Sequence, residues 1–258
     1  MAENITDLTG RTAVVIGATS GLGRVIARGL ARAGARVVPA GRRGPLVAEV
    51  CGEIRAAGGA ALEATVDVSR PDSIKALRET VCGHFGGVDI LVNAAGVTAR
   101  RPTADVTDDD WNAILDANLT GMLRACREFY GPLKQSGRGR IVNIASLSSF
   151  VAFHEVAAYG VSKAGVLALT RSLGSEWARD RINVNALVPG VFRTALNAEL
   201  LDNSERGREL LMRTPMKRFG DPEELVGAAV FLASDAASFV TGQFIAVDGG
   251  FLASGVNS

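Results

Sequence analysis

The chain is sparing with several residue types, and each shortage excludes something. Its 258 residues hold three cysteines and two histidines. Cys51, Cys82 and Cys126 are odd in number, widely spaced and far from other ligand-type residues, so reduced thiols are expected in place of a disulfide framework or a zinc site. His84 and His154 are equally isolated, and no metal site is expected. Charge of either sign is not in excess: lysine plus arginine number 28 and aspartate plus glutamate 27, scattered along the chain, which leaves no basic face for nucleic acid. No apolar segment is long enough to cross a bilayer, and Met1–Asp7 lacks a basic region leading into an apolar one. A cytoplasmic protein with no membrane partner is the expectation. Repeats, low-complexity tracts and linkers are absent too, so 1–258 is read as a single domain.

What is present is apolar sequence in short runs. With 47% of its residues hydrophobic, the chain can bury a large core. Runs rich in Val, Ile, Leu and Ala recur at Thr12–Ile16, Arg36–Ala40, Ala61–Val66, Val88–Val92, Arg140–Ala145, Ile182–Leu187 and Phe244–Val247, separated by stretches of helical spacing. That alternation predicts an α/β fold: a Rossmann-type, doubly wound parallel sheet of about seven strands, buried on both faces. The loosest stretches are the first residues, 191–215 and the tail.

A helix is predicted from about Asp108 to Gln135, opened by Thr107 and three aspartates that suit the positive end of its dipole. Its apolar stripe runs through Trp111, Ile114, Leu115, Leu119 and Met122, and Asn118 falls on the same stripe. An amide in an aliphatic place needs partners, so the position asks for a reason.

Three further patterns carry chemistry. After the first strand comes Gly17-Ala18-Thr19-Ser20-Gly21-Leu22-Gly23, whose glycines permit close approach of a ligand while the next helix offers free N–H groups to a pyrophosphate. Tyr159 and Lys163 stand one helical turn apart, where a lysine cation can lie beside a phenol and lower its pKa. Thirteen residues before the tyrosine, Ser146 closes an apolar run.

Together with Asp67-Val68, Asn93-Ala94-Ala95-Gly96, Pro189-Gly190 and the tail Val240–Gly250, these residues resemble the short-chain dehydrogenase/reductase superfamily from about residue 8 to the carboxyl terminus. One departure is Ile16, where that family usually carries threonine. The resemblance implies catalytic roles for Asn118, Ser146, Tyr159 and Lys163. It places Gly17, Thr19, Ser20, Gly21, Leu22 and Gly23 at the pyrophosphate and adenosine ribose, and Asp67 and Val68 at the adenine. Asn93, Ala94 and Gly96 fall near the nicotinamide ribose, gripped also by Tyr159 and Lys163, and Pro189, Gly190, Val191 and Thr194 near the carboxamide. It also implies a homotetramer built on the helices that carry Asn118 and Tyr159.

Cofactor choice is read where the second strand ends. A carboxylate there would hold the ribose diol of NAD; Gly41 stands there instead, followed by Arg42 and Arg43, which suit a 2′-phosphate, so NADP(H) is expected.

The implied activity interconverts a ketone and a secondary alcohol. Tyr159 acts as acid or base, Ser146 holds the substrate oxygen, and Asn118 anchors a water in a proton relay to Lys163. Arg100 and Arg101, just after the Asn93–Gly96 turn, resemble the arginine pair of gluconate 5-dehydrogenases and related sugar-acid enzymes, where an arginine can clamp a carboxylate. Ser148 and His154 are expected on the rim of the same pocket, and 191–215, with Phe192, Leu196 and Leu200, over it. A hydroxylated sugar, polyol or sugar acid is the expected substrate; a 3-oxoacyl-thioester reductase and a non-catalytic dinucleotide-sensing protein are the alternatives.

Overall fold

The computed structural model describes residues 4–193, 201–202 and 204–255. Seven strands form one parallel sheet: β1 (Thr12–Ile16), β2 (Arg36–Gly41), β3 (Ala64–Thr65), β4 (Ile90–Asn93), β5 (Gly139–Ile144), β6 (Ile182–Pro189) and β7 (Phe244–Val247). Their order across the sheet is β3-β2-β1-β4-β5-β6-β7, all parallel. The expected runs lie on these strands within a residue or two, except the third. There only Ala64 and Thr65 pair in a ladder with β2, and Ala61 makes an isolated bridge to Val37.

Alternation along β1 shows why the sheet is apolar on both sides. Val14 and Ile16 point into one core, shared with Leu77, Phe129 and Val166, while Ala13 and Val15 point into the other, shared with Ile26, Leu30 and Leu232. The first core is closed by α3 (Pro71–Phe85), α5 (Gly121–Ser136) and α6 (Ala157–Glu176), the second by α1 (Gly21–Arg32), α2 (Gly44–Ala56) and α8 (Val226–Ala233). Two further helices are α4 (Asp108–Leu115) and α7 (Glu205–Arg213). No helix among the described residues is long and apolar enough to cross a membrane, and none of their His, Cys, Asp and Glu residues cluster in threes as a metal site would need.

The helix expected over about 108–135 is interrupted. It starts as read, with a capping box in which Thr107 and Asp110 exchange side-chain and backbone hydrogen bonds. At Asp116–Thr120, however, the chain opens into a π-helical turn before resuming as α5. The turn carries Asn118, which is fully buried. The interruption therefore falls at the residue that broke the apolar stripe, as π-turns at functional positions commonly do.

Candidate active site

The carboxyl ends of the central strands open onto a cleft of about 790 Å³. At one end β1 turns through Gly17, whose φ of +90° suits glycine and whose absent Cβ would lie 2.4 Å from the Ala95 nitrogen. The turn is thereby pressed against the loop that follows β4. Helix α1 then starts with no side-chain cap and no acidic residue in its first turn, which leaves its free N–H groups facing the cleft region. Gly17, Thr19, Ser20, Leu22 and Gly23 line the cleft, whereas Gly21 opens α1 just outside it.

Arg42 and Arg43 line the same end. The Arg43 guanidinium donates to Thr19 Oγ1 at 3.0 Å and Ser20 Oγ at 3.2 Å, bridging the glycine turn to the end of β2. Beyond them lie Asp67 and Val68. Hydrogen bonds from the Ser69 hydroxyl (2.7 Å) and N–H (3.0 Å) hold the Asp67 carboxyl below its usual pKa, helped by the positive charge of Arg42. The opposite wall comes from Ala113, Asp116 and Ala117, which the sequence reading did not single out. Arg124 fixes that wall by an ion pair with Asp116 at 2.7 Å.

At the other end of the cleft stand Ser146, Tyr159 and Lys163. Helix α6 presents the tyrosine and lysine on one face, and Ser146 caps the short turn after β5, its hydroxyl accepting from the Ser148 N–H at 3.1 Å. Burial raises the Tyr159 pKa, while its hydrogen bond to Ser146 acts in the opposite direction. Lys163 is almost wholly buried, with Nζ 5.7 Å from the Tyr159 ring centroid and donating to the Ile144 carbonyl at 2.7 Å. Desolvation pulls its pKa down to about 8. The expected lowering of the phenol by its neighbour is thus not what this arrangement gives: the ammonium is turned to a strand carbonyl, and burial dominates at the tyrosine.

Asn118 does not line the cleft; it holds the cleft's wall. Its Oδ1 accepts from the Val97 N–H at 2.7 Å, and its Nδ2 donates to the Val97 carbonyl at 2.8 Å and to Ser162 Oγ at 3.0 Å. That is the physical reason for an amide on the apolar stripe: it ties the Asn93–Val97 loop to α6. A Cβ at Gly96 would come 3.3 Å from Asn118 Oδ1 and 3.5 Å from Lys163 Nζ, so these groups converge.

Ala94, Gly96, Pro189 and Gly190 line the cleft beside Lys163. Asn93 turns its side chain away into the core, where Nδ2 donates to Asn143 Oδ1 at 2.9 Å; Asn143 donates onward to Thr170 at 3.0 Å. Val191 lines an adjoining cavity of about 390 Å³ with Phe192 and Asp248. Thr194, Leu196 and Leu200 lie outside the described residues.

The expected substrate residues separate. Arg101 is tied to Asp110 at the start of α4. Arg100 and His154 line a third cavity of about 640 Å³, bounded across from them by α7. Arg100 pairs with Glu155 at 2.6 Å, and His154 is largely exposed. Ser148 stays beside Ser146.

Residues 17–252 match the family model described as enoyl-(acyl carrier protein) reductase, a short-chain dehydrogenase model. The 2-dehydro-3-deoxy-D-gluconate 5-dehydrogenase of Escherichia coli is 39% identical over 249 residues, covering 95% of this chain and 97% of its own. A 3beta-hydroxysteroid dehydrogenase of Eggerthella lenta is 39% identical over 246 residues, covering 95% and 94%. Among solved structures, a gluconate 5-dehydrogenase from Burkholderia cenocepacia, in complex with NADP and tartrate, superposes with a TM-score of 0.93 at 38% identity, covering 98% of this chain and 99% of that one.

Proposed function

This chain belongs to the short-chain dehydrogenase/reductase family, and on that premise we propose an NADP(H)-dependent oxidoreductase that interconverts a ketone and a secondary alcohol on a sugar acid or related hydroxylated sugar. The observation that carries it is one cleft with Ser146, Tyr159 and Lys163 at one end and the paired Arg42 and Arg43 at the other.

The residues suit NADP(H). Arg43 beside Thr19 and Ser20, with Arg42 lining the same end of the cleft and no carboxylate on β2, matches a 2′-phosphate, and the uncapped start of α1 matches a pyrophosphate. Gly17, Thr19, Ser20, Gly21, Leu22 and Gly23 would hold the diphosphate and ribose, and Asp67 and Val68 the adenine. Asn93, through its backbone, with Ala94, Gly96, Pro189, Gly190, Val191 and Thr194, would hold the nicotinamide half. When bound, the cofactor supplies or accepts the hydride.

The remaining chemistry belongs to the chain. Ser146 Oγ donates to the substrate oxygen and fixes its place. Burial keeps the Tyr159 phenol protonated at neutral pH, ready to give its proton to that oxygen as the carbonyl is reduced. In the reverse direction the phenolate takes the proton back from the alcohol, which at neutral pH requires about 4 kcal/mol of phenolate stabilisation from the ordinary tyrosine value and more from the raised one. Lys163, charged below its pKa of about 8, is the cation placed to contribute once it leaves the Ile144 carbonyl. Asn118 holds the wall against which this occurs, in line with a place in a proton relay to Lys163.

For the substrate, polar and charged groups around the outer cavity, Arg100 and His154 among them, favour a hydroxylated acid over a steroid-like ketone. One domain carries both cofactor and substrate, with α7, the described part of the expected 191–215 cover, beside the latter; residues 194–200 and 203 lie outside the described residues. A cytoplasmic homotetramer completes the reading; Val161, 48% exposed on α6, is apolar surface of the kind such an assembly covers.

The test is titration with NADPH and NADH, followed by Trp111 and Trp177 fluorescence, on the native protein and Arg42→Ala. A sugar-acid panel assayed with the preferred nucleotide follows. NADPH preference lost in the variant, with turnover of a sugar acid, is the expected result. Failure to bind either nucleotide refutes the reading.

A further inference from the structure

Resting on the sugar-acid reading above, we infer that the 640 Å³ cavity bounded by α7 is the subsite for the carboxylate end of the substrate, with Arg213 and Arg206 as its anion-holding groups. Helix α7 is set by Ser204, whose hydroxyl caps it by accepting from the Gly207 N–H at 3.0 Å. Arg206, Leu210 and Arg213 follow at i, i+4 and i+7, which places all three on one helical face, and all three line the cavity.

The floor is aromatic. Arg213 lays its guanidinium 4.8 Å from the centroid of the Phe251 ring, and Phe153 stacks on the same ring at 6.1 Å. A guanidinium held over a ring can keep its N–H edge for a planar acceptor, the geometry that a carboxylate fits with two parallel hydrogen bonds.

The charge balance of the cavity favours the two α7 arginines over Arg100. Arg100 is engaged by Glu155, whereas neither Arg206 nor Arg213 has a carboxylate oxygen within 4.0 Å among the described residues. Glu205 and Glu209 also line the cavity without pairing to them. Carboxylates that accept from hydroxyls, arginines that donate to an acid and a ring that meets C–H groups make a set suited to a polyhydroxy acid.

The cavity adjoins the reacting groups. Thr98 lines the main cleft and Arg100 the outer cavity, and two residues of extended chain span at most about 7 Å. The Ser146–Tyr159 loop makes the same passage through Val151 and His154, and the Arg101 N–H stitches the two segments by donating to the Glu155 carbonyl at 2.8 Å. The substrate accordingly lies with its carbonyl at Tyr159 and its other end at α7.

The test compares D-gluconate, its keto forms and the 2-keto-3-deoxy acid with uncharged partners of equal chain length such as D-sorbitol, in native protein, Arg213→Gln, Arg206→Gln and Arg208→Gln. Arg208 is on α7 but does not line the cavity, and serves as the control for the helix itself. For the acid turned over best, KM rises about ten- to a hundredfold in Arg213→Gln, and less in Arg206→Gln, with the NADPH Kd and the KM of the neutral partner within twofold. Arg213→Lys recovers part of the loss. Equal KM in native and variant, or equal loss on acid and neutral substrate, overturns the subsite while leaving the sugar-acid activity standing. Absence of turnover for every acid in native protein overturns that activity and the subsite with it.

Discussion

A Cβ placed on Gly41 would lie 2.6 Å from Cγ2 of Thr19, and Thr19 Oγ1 is the atom to which Arg43 donates at 3.0 Å. The last residue of β2 and the glycine turn are therefore packed as one unit with the arginine. Gly41→Asp, the single change that would offer a carboxylate to the ribose diol of NAD, must push Thr19 aside and repel a phosphate. It is expected to weaken NADPH binding about ten- to a hundredfold without creating tight NADH binding. Only with Thr19→Gly in addition does NADH affinity rise. Fluorescence titration of both variants with both nucleotides decides; tight NADH binding by the single variant would refute the steric link.

Replacing Asn118 by leucine completes the apolar stripe of the helix and should, on pattern alone, stabilise it. The opposite is expected. Both the N–H and the carbonyl of Val97 lose their side-chain partner; Val97 is itself 41% exposed, so water replaces part of what is lost, and at about 0.5–1.5 kcal/mol for each bond stability falls by about 1–3 kcal/mol. A drop in the urea midpoint at unchanged slope, with activity lost in parallel, is the expected outcome; an unchanged midpoint would mean that the clamp contributes nothing.

The strands were legible because a parallel strand buried on both faces is a continuous apolar run, and Tyr159 with Lys163 because four residues make one helical turn. The π-turn was not: it shifts hydrogen bonds without changing composition, so Asn118 signalled an exception but not its form. Nor could spacing show that Lys163 would donate a hydrogen bond to the Ile144 carbonyl, or that Asn93 would face Asn143, since both partners lie on another strand. Arg100 and Arg101 look equivalent in sequence, and alternate chain direction sends one to the outer cavity and the other to Asp110. The α7 arginines carried no motif at all.

Because burial raises the Tyr159 pKa, the phenol stays protonated through the neutral range. Alcohol oxidation, which needs the phenolate, is expected to quicken as pH rises, with kcat/KM climbing until the holoenzyme tyrosine is fully ionised, while carbonyl reduction falls off over the same range. Tyr159→Phe lowers kcat by about 10²–10⁴, far more than the fewfold loss of NADPH affinity expected from its contact with the nicotinamide ribose. Parallel pH profiles of both directions check this; two flat profiles in native protein would remove Tyr159 as the acid and base.

Lys163 should also write itself into the stability of the cofactor-free protein. Its folded pKa, about 8, lies below the ordinary 10.5, so the unfolded chain binds the proton more strongly. Stability then rises with pH between about 8 and 10.5, by about 3 kcal/mol from this group. Cys51 and Cys126, pushed up to about 11 and about 12, and Tyr159 act in the other direction as their unfolded counterparts ionise first. The comparison of native protein with Lys163→Met cancels those contributions. The variant also loses the donor to the Ile144 carbonyl, at about 1–3 kcal/mol, but that cost does not vary with pH. Urea unfolding at pH 7, 8, 9 and 10 should therefore show the stability of Lys163→Met relative to native changing little between pH 7 and 8 and falling by about 2 kcal/mol between pH 8 and 10. A constant difference would mean that the ammonium titrates alike in the folded and unfolded chains, as a solvated one does.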